Sequence, residues 1–329
     1  MALLTLDSLC VDLETARGPA RALRDVSFTL ERGEKLGLVG ESGCGKSMTA
    51  LAIMGLLPER AQAHGRIVLD GDNLLTLPER TLCRVRGNRI GMIFQEPMTS
   101  LNPVHPIGRQ IGESLRLHRG MVGAEAAEET VRLLERVGLP DPRTRLGAFP
   151  HQFSGGQRQR IMIAMALSCA PDILIADEPT TALDVTIQGQ ILDLIDELVA
   201  DLGMALILIS HDLGVIGELC DRVLVMYGGR VVEAAPAEAL FARHAHPYSQ
   251  GLFAAIPRLG GGRGQRLATI PGTVPELADL PVGCGFAGRC PLADADCADR
   301  SPPLETVDGE HRAACHHLRT ALARPEARP

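Results

Sequence analysis

The octapeptide Gly40-Glu41-Ser42-Gly43-Cys44-Gly45-Lys46-Ser47 constrains this chain more than any other stretch. Before it, Lys35-Leu36-Gly37-Leu38-Val39 reads as a buried strand. After it, residues 47–57 read as a helix that stops near Pro58. Glycines at that junction let successive backbone N–H groups point inward, and the helix N-terminus adds roughly half a positive charge. A plain glycine turn needs neither flanking element; with both, the pattern predicts a phosphate-binding loop. Gly40, Ser42, Gly43, Cys44, Gly45 and Met48 are then the loop residues around the phosphates. Lys46 reaches the β- and γ-phosphates, and the Ser47 hydroxyl ligates Mg²⁺.

A second buried strand, Ile173-Leu174-Ile175-Ala176, runs into Asp177-Glu178. Asp177 is the candidate carboxylate beside the metal, and Glu178 is the candidate base that polarises an attacking water. A general base typically contributes roughly 10²–10⁴ in rate, so the pair points to hydrolysis and not to binding alone. Two solvated acids at a strand end are common by themselves; beside a complete phosphate loop they read as chemistry.

Further apolar strands recur at Ile90-Gly91-Met92-Ile93-Phe94 and Ala205-Leu206-Ile207-Leu208-Ile209. Val223-Leu224-Val225-Met226 and Arg230-Val231-Val232 form a hairpin around Gly228-Gly229. Helical periodicity fills about 105–170 and 187–199. This alternation predicts a largely parallel sheet covered on both faces. Residues 1–39 read as short β segments. Beyond about 235 the regularity fades, and Gly260-Gly261-Gly262 reads as a linker. The length, 329 residues, favours two domains or one with an appendage.

No run approaches the roughly 18 apolar residues of a membrane span. The start, Met1-Ala2-Leu3-Leu4-Thr5, lacks a basic region followed by an apolar one. The expectation is a cytosolic chain with free thiols. A net charge of −7, with seven Phe, two Tyr and no Trp, argues against a basic, base-stacking nucleic-acid face.

Four more motifs follow in order: Gln95 in Phe94-Gln95-Glu96-Pro97, then Phe153-Ser154-Gly155-Gly156-Gln157, Ala182-Leu183-Asp184, and His211 in Ser210-His211-Asp212. With them the chain resembles the ATP-binding-cassette family over about 1–235. Phe153 stands where the family signature usually has Leu. The resemblance implies a P-loop α/β fold: a RecA-like core with a mixed sheet, an antiparallel β part and a helical subdomain at about 100–168. To this is added a small irregular Cys-containing extension, 236–329. It also implies that Ser154, Gly155, Gly156, Gln157 and Asp184 of one subunit close on ATP held by another. Gln95 would contact Mg²⁺ and sense the γ-phosphate; His211, with Glu178, would be catalytic by orienting the water. The family usually stacks adenine on an aromatic residue upstream of the phosphate loop. Residues 11–24 contain none, which leaves Leu13 or the stems of Arg17 and Arg21 to pack on the base.

Met92-Ile93-Phe94-Gln95-Glu96-Pro97-Met98-Thr99-Ser100-Leu101-Asn102-Pro103 and His246-Pro247-Tyr248-Ser249-Gln250-Gly251-Leu252 look like the ATPase subunits of bacterial dipeptide/oligopeptide importers. That resemblance implies ATP and Mg²⁺ as ligands and two separate transmembrane permease subunits as partners. It further implies a related second ATPase subunit in a heterodimer, an extracytoplasmic solute-binding protein, and a place on the cytoplasmic face of the bacterial inner membrane. Import of nickel or another small solute is the alternative. A non-transport ATPase of DNA repair or translation fits less well, because the chain holds one cassette and no obvious coiled coil.

Cys284, Cys290, Cys297 and Cys315 crowd into the tail, while the other five cysteines are scattered. Four thiolates match the ligand count of a [4Fe–4S] cluster or of structural Zn²⁺, for which His316 or His317 could substitute. Unligated thiols are the third reading. Paired Cys-x₂-Cys knuckles are absent, and the Arg289-Cys290-Pro291 context resembles importer tails that carry a [4Fe–4S] cluster.

Overall fold

The computed structural model describes residues 2–95, 100–181, 183–256 and 269–323. Glu96-Pro97-Met98-Thr99 after Gln95, Ala182 of the Ala182-Leu183-Asp184 motif and the expected Gly260-Gly261-Gly262 linker lie outside them. The strands are β1 (Leu4–Thr15), β2 (Gly18–Leu30), β3 (Lys35–Val39), β4 (Gln62–Leu69), β5 (Asp72–Asn73), β6 (Ile90–Ile93), β7 (Ile173–Asp177), β8 (Ala205–Ile209), β9 (Arg222–Tyr227), β10 (Arg230–Pro236), β11 (Glu305–Asp308) and β12 (His311–Ala313). The chain forms two compact units. One is built mainly from Leu30–Glu34 and Thr76–Ile209, the other from Leu3–Thr29, Lys35–Leu75 and Ser210 onward.

The second unit carries the octapeptide. An antiparallel sheet has the order β2-β1-β4-β5. Its first two strands run 12 and 13 residues, longer than the short segments expected. A register shift between Asp7 and Cys10, with Ser8 at φ 49, is a bulge that bends β1 without ending it. Elsewhere in this unit β3 lies parallel to β9, Leu38 beside Leu224. The chain then reverses at Gly228-Gly229 into β10, which β12 and β11 extend antiparallel. Parallel and antiparallel pairings therefore coexist, as a mixed sheet requires.

The other unit holds β6, β7 and β8, all parallel, with Ile93 beside Ala176 and Asp177 beside Ile209. Every residue of these three strands is buried, which explains their unbroken apolar sequence. Helices Ile107–Arg119, Gly123–Arg136, Gly155–Ala166 and Val185–Leu202 belong to the same unit. Ile107, Ile111 and Leu115 lie four residues apart and are fully buried. Each such side chain contributes roughly 1.5–3 kcal/mol to the packing of its helix. No helix among the described residues is long and apolar enough to cross a membrane.

Candidate functional site

The phosphate loop leaves β3 and enters the helix Lys46–Met54 through Gly45, which is left-handed at φ 109. Gly40 adopts φ 147, and a Cβ there would collide with the Met226 carbonyl of β9. Only glycine fits that crossing. No acidic residue occupies the first helical turn, so its N-terminal N–H groups face no competing carboxylate on their own helix. Lys46 is buried at 6% exposure, its Nζ donating to the carbonyls of Gly40 at 2.7 Å and Glu41 at 3.1 Å. Burial pushes the Cys44 thiol up, against the nearby Lys46 charge. Ser42, Gly43 and Ser47 are exposed and Met48 is half-buried.

Two residues that sequence reasoning did not assign to this loop hold its entry. The Glu41 N–H donates to the phenol oxygen of Tyr248 at 2.7 Å. The Glu41 carboxylate accepts both arms of Arg289, at 2.6 and 3.0 Å. Around them Tyr227, Tyr248 and Phe286 pack as aromatic neighbours, with ring centroids 4.6–5.3 Å apart. The chain's two tyrosines thus stand together at the phosphate loop. Their scarcity was the available signal.

In the other unit, Asp177 is 5% exposed at the end of β7. Its hard oxygens and burial at a strand tip suit Mg²⁺. Glu178 follows at φ 47, a conformation rare for a side-chain-bearing residue and characteristic of functional sites. Its carboxylate is held by Gln95 Nε2 at 2.9 Å and by the Thr181 hydroxyl at 2.9 Å. Gln95 and Glu178 lie 83 residues apart in sequence, and the fold brings them together.

Ser154 caps the helix Gly155–Ala166. Its hydroxyl accepts from Gln157 N at 3.3 Å, and the Gln157 side chain accepts from Ser154 N at 3.2 Å. This reciprocal box fixes the helix start. A Cβ at Gly156 would press on Ile187 at 3.1 Å. Gln159, a polar residue of that helix, is 1% exposed, and its amide donates to the Pro179 carbonyl at 2.6 Å. It ties the signature helix to the segment just after Glu178. Asp184 is exposed at the start of the helix Val185–Leu202, making no side-chain cap.

His211 is exposed in the loop-bearing unit, between two pinned neighbours. Ser210 N donates to the Leu38 carbonyl, and Asp212 caps the helix Leu213–Leu219 through Gly214 N at 2.8 Å. The guanidinium heads of the two arginines named for the adenine are held by carboxylates. Arg17 is tied to Asp279 at 2.7 Å and Glu276 at 3.0 Å, and Arg21 to Asp12 at 2.7 Å; Leu13 is half-buried.

The tail cysteines converge. Burial, then the charges of Cys290 and Cys297, push the Cys284 thiol up; burial and the other three cysteines push Cys315 up to about 11. Cys284 N donates to the Cys297 carbonyl at 2.8 Å. Leu292 N donates to the Cys290 sulfur at 3.4 Å, and His317 N to the Cys315 sulfur at 3.3 Å. Four thiolates on one zinc would stand about 3.8 Å apart. Among the described residues the group of ligand atoms within 4.8 Å of one another is instead Asp294, Cys297 and His317.

Residues 23–181 match the family model described as ABC transporter, and residues 232–297 match the oligopeptide/dipeptide transporter C-terminal region. The chain is 53% identical over 310 residues to a probable peptide ABC transporter ATP-binding protein, y4tR, of Sinorhizobium fredii, covering 92% of each protein. It is 51% identical over 313 residues to the oligopeptide transport ATP-binding protein OppD of Salmonella typhimurium, covering 95% of this chain and 93% of that one. Among solved structures, the ATP-binding cassette MJ0796 in its dimeric form with ADP and Pi is similar at TM-score 0.64 and 27% identity. That match covers 71% of this chain and 98% of MJ0796. The chain belongs to the ABC transporter ATPase family and carries the C-terminal region of its oligopeptide/dipeptide branch.

Proposed function

We propose that the chain is the ATP-hydrolysing subunit of a peptide importer, acting at the cytoplasmic face of a bacterial inner membrane through separate permease subunits. The observation that carries this reading is Glu178, set in a left-handed turn at the end of a buried strand and gripped by Gln95 and Thr181. Residues 1–235 are the cassette, with a helical part at about 100–168, and 236–329 are the extension.

In this reading Gly40, Ser42, Gly43, Cys44, Gly45, Lys46 and Met48 take the phosphates. Ser47, Asp177 and Gln95 hold Mg²⁺, which when bound neutralises phosphate charge. Glu178 takes the proton of the attacking water. His211 contacts the γ-phosphate and orients that water. Ser154, Gly155, Gly156, Gln157 and Asp184 serve a partner's ATP, so that nucleotide joins two related subunits and hydrolysis parts them. A solute-binding protein delivers peptide to the permease, and nucleic acid has no part. Cys284, Cys290, Cys297 and Cys315 hold a [4Fe–4S] cluster, which fastens the extension.

The names of the relatives favour peptides over nickel as cargo. Uptake of labelled di- and oligopeptides, measured beside ⁶³Ni²⁺ uptake in cells with and without this chain, tests the assignment. Peptide uptake that depends on the chain supports it; dependence of nickel uptake alone overturns it.

A further inference from the structure

We infer that Arg289, in the C-terminal extension, is a positioning residue for the phosphate loop, acting by neutralising Glu41. The inference deepens the reading of that loop as the ATP site and rests on it. Glu41 is the one acidic residue of the octapeptide. A carboxylate there opposes the negative triphosphate that the loop must receive.

Arg289 removes that charge with a fully engaged guanidinium. Its side chain is 5% exposed and grips both Glu41 oxygens. It also donates to the Tyr227 phenol oxygen at 3.3 Å and, through Nε, to the Pro271 carbonyl at 2.9 Å. The rings of Tyr227 and Phe286 lie 5.8 Å from its central carbon, within cation–π range. The planar fork is therefore held in place before any ligand arrives. A buried ion pair adds little to stability over an apolar replacement, because desolvation offsets its attraction. Its consequence is instead local: it leaves the Lys46 charge and the helix N-terminus uncompensated at the loop.

The same arrangement makes the extension part of the nucleotide site. The turn Ala287–Arg289 runs directly into Cys290. Two other arginines also reach the extension: Arg17, in the turn between β1 and β2, through Asp279, and Arg24 of β2 through the Pro281 carbonyl at 2.9 Å.

Binding of a fluorescent ATP analogue to the purified full chain tests this. Arg289→Ala is expected to weaken binding roughly tenfold, and Arg289→Lys to give an intermediate loss. Adding Glu41→Gln to Arg289→Ala is expected to recover most of the affinity, which a merely structural contact would not allow. Glu41→Gln alone, which leaves Arg289 on Tyr227 and Pro271, is expected to bind at least as tightly as the wild type and serves where Arg289→Ala fails to fold. Unchanged affinity in Arg289→Ala, no recovery in the double variant, or weaker binding by Glu41→Gln alone overturns the inference. Lys46→Ala separates the two readings: lost binding there leaves the ATP site standing, whereas retained binding removes the site and the inference with it.

Discussion

The phenol oxygen of Tyr248 accepts a hydrogen bond from the backbone N–H of Glu41, 207 residues away in sequence. Burial keeps that phenol protonated far above its ordinary range, so the acceptor is constant at any working pH. Tyr248→Phe leaves the Glu41 N–H without its partner while keeping the ring. The expected cost is about 1–2 kcal/mol of stability, read as a lower urea midpoint at unchanged slope. An unchanged midpoint would show that water replaces the phenol there.

His246 gives the extension a defined acid response. It is fully buried, and burial lowers its pKa to about 4 despite the neighbouring Glu233 carboxylate. Its Nδ1 accepts from Tyr248 N at 3.0 Å, and its backbone N–H donates to Glu233 at 2.8 Å. The unfolded chain takes up the proton near pH 6.5, the folded chain only near 4. Unfolded molecules therefore hold more protons across that interval. Stability falls as pH drops from about 6.5 to about 4, by up to about 3 kcal/mol. His246→Asn keeps a capping acceptor without the titration and is expected to flatten this part of the stability curve. Urea melts at several pH values check it; an equal slope in both proteins contradicts the assignment.

The local parts of this protein were legible in sequence, and the long-range ones were not. The octapeptide between strand and helix, the strand ending in Asp177-Glu178 and the hairpin at Gly228-Gly229 each declare themselves within a few residues. Pairings across the chain leave no such mark. Arg17 and Arg21 were named for the adenine by their stems, and sequence gives no sign of the carboxylates that hold their guanidinium groups. Nothing in the sequence around Gln159 marks the buried bond of its amide to the Pro179 carbonyl. Arg289 was read only as context for Cys290, although its guanidinium meets a residue 248 positions away. The low aromatic count pointed to a missing adenine stack. It did not reveal that both tyrosines gather beside the phosphate loop.

The cysteine group makes a compositional prediction. Protein purified without oxygen is expected to be brown and to carry about four irons per chain. Cys290→Ser is expected to lower that iron content and to leave the Lys46–Met54 helix folded. Colourless protein holding one zinc would point instead to the Asp294, Cys297 and His317 group.

The central claim is that Glu178, held by Gln95 and Thr181, is the base for ATP hydrolysis. Glu178→Gln preserves shape and hydrogen-bonding capacity while removing the carboxylate's basicity. Steady-state phosphate release and nucleotide binding should be measured on this variant and the wild type under the same conditions. Binding is expected to survive and turnover to fall by roughly 10²–10⁴. Turnover at the wild-type rate would contradict the claim.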